Sequence, residues 1–89
     1  MKTKEELLKE LDYKDFTNSI GVRIKDVKVF RLYYSPYKEF YVEIMIKNND
    51  IYSFRVGSMR PITEQLDIDL LQIGLDILNK NLKKLNSEE

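Results

Sequence analysis

Between Phe40 and Lys47 apolar residues fall at every second position, with Phe40, Val42, Ile44 and Ile46 alternating with Tyr41, Glu43, Met45 and Lys47. That is the period of a β-strand with one fully apolar face and one mixed face. Asn48-Asn49-Asp50 follows, and Asn and Asp tolerate positive φ, so a short chain reversal is predicted there. Ile51 to Val56 then returns as a strand, with Tyr52, Phe54 and Val56 on one side and Ile51, Ser53 and Arg55 on the other. Upstream, Ser35-Pro36-Tyr37-Lys38 fits a type I turn, because proline presets φ at the second position. Val27 to Tyr34 thereby becomes the first strand of an antiparallel meander. In that strand Phe30, Leu32 and Tyr34 claim one face while Val27, Val29 and Tyr33 claim the other, which either a bulge near Lys28 or burial on both faces reconciles. Ile20, Val22 and Ile24 also alternate; residues 20–25 read as a fourth strand or as an extension of the first, with Lys25-Asp26 as the break.

The flanks carry a different period. Thr3-Lys4-Glu5-Glu6 matches a capping box, predicting a short helix over about 3–13 with Leu7, Leu8 and Leu11 on its apolar side; Tyr13 and Phe16 extend contact with the core. A helix this short persists only if it docks. After Gly57-Ser58 and Arg60-Pro61, Leu71, Gly74, Leu75, Leu78, Leu82 and Leu85 form one helical stripe, widened by Leu66, Leu70, Ile73 and Ile77. The predicted helix covers about 63–85, leaving 86–89 as a frayed tail. Gly74 lies inside the stripe, where it costs about 1 kcal/mol relative to Ala but lets the backbone approach the sheet. The expected fold is α+β in two layers, one domain over 1–89: a short helix, a three- or four-stranded antiparallel meander over about 20–57, and a long amphipathic helix on the face of Phe40, Val42, Ile44, Ile46, Tyr52 and Phe54.

Composition removes several chemistries. With no Cys and no His among 89 residues, thiolate zinc sites, disulfides, cysteine nucleophiles and the commonest general base are excluded. No run approaches 18 apolar residues, and the start MKTKEELLKEL is too charged for a signal peptide, so the expected location is the cytoplasm, with no membrane partner. Net charge is zero yet segregated: residues 20–60 carry eight Lys or Arg against four acids, and residues 61–89 carry three against six. Lysines guarding sheet edges and acids at a helix start explain that pattern without a ligand. Asp67 and Asp69 do not face each other on a helix and make no metal pair. No glycine-rich phosphate loop or GxSxG is present. The expectation is a protein without enzymatic activity and without a cofactor.

What remains is the second face of the sheet, where alternation gathers Arg31, Tyr33, Tyr41, Glu43, Met45, Ile51, Ser53 and Arg55, with Arg60 nearby. Three readings fit. The first helix lies across it and makes it a small second core; or Tyr, Met and Arg form a protein interface, for which these types are enriched; or tyrosines interleaved with arginines stack and neutralise single-stranded nucleic acid. Neutral overall charge and the missing ribonucleoprotein motif weigh against the last. The apolar breadth of the long helix also admits a homodimer.

The helix-flanked meander from Val27 to Val56, the absence of Cys and His and the segregated charge resemble the small accessory proteins of bacteriophages and mobile elements, including anti-CRISPR inhibitors. The resemblance is one of architecture along the whole chain. Such inhibitors share no motif, so it assigns no residue. It implies a phage-encoded protein in a bacterial host cell that blocks a defence nuclease by stoichiometric binding. Arg31, Tyr33, Tyr41, Glu43, Met45, Arg55 and Arg60 are the expected partner contacts on the reading of the faces alone.

Overall fold

The capping box is present: the Thr3 hydroxyl accepts the Glu6 amide and the Glu6 carboxylate accepts the Thr3 amide, each at 3.1 Å. The computed structural model describes residues 2–20 and 24–87. In it α1 spans Lys4–Glu10 and stops at Leu11, short of residue 13. Asp12 ends it by entering the left-handed region at φ 71°. A two-residue strand, β1 (Lys14–Asp15), follows, and then a single helical turn, α2 (Thr17–Ile20). Ile20, expected in a strand, is therefore helical. Ile24 sits in a bend and Lys25-Asp26 in a turn, and Gly21, Val22 and Arg23 lie outside the described residues.

The meander is built from β2 (Val27–Tyr33), β3 (Phe40–Lys47) and β4 (Asp50–Ser58). All pairings are antiparallel and the sheet order is β1-β2-β3-β4, so among the described residues the fourth strand is β1. Asn48 and Asn49, at φ 53° and 63°, make the two-residue reversal between paired Lys47 and Asp50, the geometry of a type I′ hairpin. The other turn departs from expectation. Tyr37 has φ 64° and ψ 7°, the third-position geometry of a type II turn, where glycine is usual.

β2 pairs with β3 without interruption from Val27↔Lys47 to Tyr33↔Tyr41, so no bulge occurs at Lys28. The second explanation holds: Val27, Val29 and Arg31 on one face and Phe30 on the other are all buried. The irregularity lies between β3 and β4, where Met45 opposes Ser53 but Ile46 opposes Ile51. Tyr52 is the extra residue of a β-bulge, and below it the alternation inverts. Ile51 thereby packs against the core while Tyr52 is exposed, which reverses their expected faces.

The long helix, α3 (Gln65–Ser87), continues through residues 86 and 87. Its Leu78 and Leu85 pack with Phe30, Val42, Ile44 and Ile46 of the sheet and with Leu7 and Leu8 of α1. α1 and α3 thus share one face, and α1 does not cover the other. Asn81 of α3 donates to the Tyr13 hydroxyl at 2.7 Å, tying α3 to the segment between α1 and β1. Gly74 lies where α3 crosses the sheet: a Cβ there would stand 2.6 Å from Val56 Cγ1 and against the Tyr34 hydroxyl, which donates to the Leu70 carbonyl at 2.7 Å. Phe54 pairs with Ile44 and so points to the helix side, yet it is 51% exposed. It belongs to an edge strand that α3 covers only in part.

Candidate functional site

Strand register carries Lys14, Arg31, Glu43 and Arg55 into one row across all four strands. The next row joins Tyr33, Tyr41 and Gly57. The predicted second face is therefore assembled apart from Ile51, which the bulge turns to the core side, but most of it is closed. Glu43 is 1% exposed and receives Arg31 Nε on Oε1 and Arg55 Nε on Oε2, each at 2.8 Å. Sequestered in low dielectric, a carboxylate with two guanidinium donors has its charge and its acceptors matched. Buried as it is, it is out of a partner's reach.

Arg31 continues the pattern. Its Nη1 donates to the Tyr33 hydroxyl at 3.0 Å and its guanidinium lies 3.9 Å from the centre of the Tyr41 ring, a cation–π contact. Tyr41 is buried, and Tyr33 stands 5.5 Å from it and 5.8 Å from Phe16, the latter edge to face. Gly57 makes room, since a Cβ there would come within 2.7 Å of the Tyr41 ring. Met45 is half-buried between Val29 and Ser53. Val27 and Val29 are buried on this same face, and the Thr17 hydroxyl of α2 accepts the Val29 amide at 2.9 Å. Among the expected contacts only Arg55 is substantially open, its side chain 56% exposed.

Arg60 stands apart from these rows. It makes a two-pronged contact with Asp67, at 3.1 and 2.5 Å, and its Nε lies 2.7 Å from Glu39. Asp67 also accepts the amides of Thr63 and Glu64, which are free donors at the start of α3. The hydrogen-bonded guanidinium, helped by those amides, holds the Asp67 carboxyl well below the ordinary carboxylate range. Arg60 is a strap between the sheet and the helix N-terminus. Among the described residues no three acidic side chains gather as a metal site, and no helix is long and apolar enough to cross a membrane.

Two other features lie outside the expected residue set. A cleft of about 420 Å³ opens beside β1 and β2, with Lys14, Phe16, Arg31, Tyr33, Lys38 and Met59 on its walls. Elsewhere, large apolar side chains stand exposed along β4 and α3: Tyr52, Phe54, Leu66, Ile68, Ile73 and Leu75. The width of the apolar arc on α3 is the signal in the sequence that points to the second feature. For the first, Lys14 and Lys38 are far apart in sequence and only the fold joins them.

No family model, curated protein or solved structure matches the chain.

Proposed function

We propose that the protein is a non-enzymatic protein-binding module whose contact surface lies on β4 and the first half of α3. One observation carries this reading: among the described residues, eight of the ten exposed large apolar side chains fall between Tyr52 and Leu75. Exposed apolar surface of that density is a feature of partner-binding regions. On α3, Leu66 and Ile73 lie two turns apart on one flank and Ile68 and Leu75 two turns apart on the other. β4 adds a backbone edge, because among the described residues its sole sheet neighbour is β3. An edge strand beside an apolar helix can accept a partner strand by main-chain pairing and bury its side chains at once.

The narrower reading is a stoichiometric inhibitor of a bacterial defence nuclease. It rests on the architectural resemblance and on the lack of a catalytic constellation in the sequence. For the nucleic-acid alternative one of the two rings is taken, since the Tyr41 ring is occupied by Arg31 and base stacking needs a free ring face; Tyr33 remains. The homodimer alternative uses the same β4 and α3 surface, and a light-scattering mass at tens of micromolar separates the two.

The test is a quantitative pull-down from bacterial lysate with the parent protein, Phe54→Ser/Ile73→Ser and the control Tyr37→Ser. The double variant is expected to lose the captured protein, and the control, altered at a 91% exposed turn residue, to keep it. Equal capture by all three places the interface elsewhere. Multiple turnover of any substrate by the isolated protein ends the non-enzymatic reading.

A further inference from the structure

We infer that the cleft beside β1 and β2 is a binding site for a small phosphorylated ligand with a planar ring, of mononucleotide size. The inference is independent of the β4–α3 surface. The cleft encloses about 420 Å³, within the range of roughly 300–1,000 Å³ typical of small-molecule sites.

Its charge selects an anion. Lys14, Arg31 and Lys38 line it against one carboxylate, Asp12. Among the described residues neither lysine forms an ion pair. The arginine is only partly compensated, because Glu43 is shared with Arg55, and its Nη2 makes no hydrogen bond among the described residues. A phosphate placed among two ammonium groups and a guanidinium edge gains charge-assisted hydrogen bonds from all three.

Its walls select a ring. Phe16 and Tyr33 meet edge to face at 5.8 Å and supply π surface, and Met59 adds a polarisable thioether near the same tyrosine, with its Sδ 3.8 Å from the hydroxyl. The walls are also held in advance. Arg31 fixes the Tyr33 hydroxyl at 3.0 Å, and Lys38 is presented by a turn in which it and Tyr37 both adopt positive φ, 54° and 64°. Two consecutive side-chain-bearing residues in that region are costly to the fold. The strain brings a third cation to the cleft.

The experiment is an amide-resolved NMR titration of the full chain at low ionic strength with the four nucleoside 5′-monophosphates, with adenosine and with inorganic phosphate. Saturable shifts are expected at Lys14, Phe16, Tyr33, Lys38 and Met59 with at least one monophosphate. Adenosine and phosphate should each bind at least about tenfold more weakly, because each keeps half of the recognition. Lys14→Ala and Lys38→Ala, both at exposed positions, should each weaken the monophosphate about fivefold or more while leaving the remaining spectrum in place. No saturation by any monophosphate at millimolar concentration, shifts confined to another region, or equal affinity of the two lysine variants and the parent would each overturn the assignment. Equal binding of phosphate and monophosphate would overturn the role of the rings.

Discussion

Replacing Glu43 by Gln keeps the shape of the side chain and one acceptor while removing its charge. Arg31, whose side chain is 10% exposed, then remains as a buried cation with the Tyr33 hydroxyl as its nearest strong partner. Breaking a buried pair in this way costs about 3–5 kcal/mol, a large part of the roughly 5–15 kcal/mol available to a small domain. Arg55 is bonded to the same carboxylate at the same 2.8 Å, but its side chain is 56% exposed. Freed, it turns to water, and its pairing with Glu43 should contribute no more than about 1 kcal/mol. Burial rather than distance therefore decides the ranking. Double-mutant cycles read by urea denaturation, with Arg31→Met and Arg55→Met as partners of Glu43→Gln, should give a coupling above about 2 kcal/mol for Arg31 and below about 1 for Arg55. Equal couplings, or a Glu43→Gln cost under about 1 kcal/mol, would refute the view that this row is internal structure.

Gly74→Ala should destabilise by about 1–3 kcal/mol in chemical denaturation, although Ala is favoured over Gly by about 1 kcal/mol in an isolated helix. The new methyl meets Val56 and the Tyr34 hydroxyl; a gain in stability would show that α3 lifts freely from the sheet. For Asp67, whose folded-state carboxyl lies below its ordinary value of 3.8, the stabilisation is complete above that ordinary value and is lost as pH falls towards the folded value. The Tm gap between the parent and Asp67→Asn should be widest near about pH 6 and shrink steadily below about pH 4. Parallel Tm profiles would refute the role given to Arg60 and the two amides.

What is local in the fold is legible in the sequence, and what depends on distant packing is not. Alternation over Phe40 to Ile46 and the Asn48-Asn49 reversal each need only neighbouring residues. β1 is too short to alternate and exists because Lys14 and Asp15 meet β2. Leu7 and Leu8 could satisfy either face of the sheet, and their choice follows from where Leu78 and Leu85 of α3 lie. The Tyr52 bulge reverses faces by one residue, a change that periodicity alone does not report. Half of the ion row was within reach. Arg31 and Glu43 are twelve residues apart, mirrored about the turn residue Tyr37, and opposite charges mirrored about a reversal meet across the strands. Glu43 and Arg55 are also twelve apart, but they meet only because the Tyr52 bulge shifts the register of the Asn48-Asn49 hairpin by one residue.

The hydrogen bond between Tyr13 and Asn81 spans 68 positions, and Leu7 and Leu8 find their neighbours in Leu78 and Leu85. On a ribosome adding roughly 5–20 residues per second, the first helix to emerge waits several seconds for the surface it needs. A helix of seven residues does not hold alone for that time. The meander, whose partners are close in sequence, can pair meanwhile. A segment made before the sheet is then among the last to become ordered, and α1 locks only when Leu78 to Leu85 arrive.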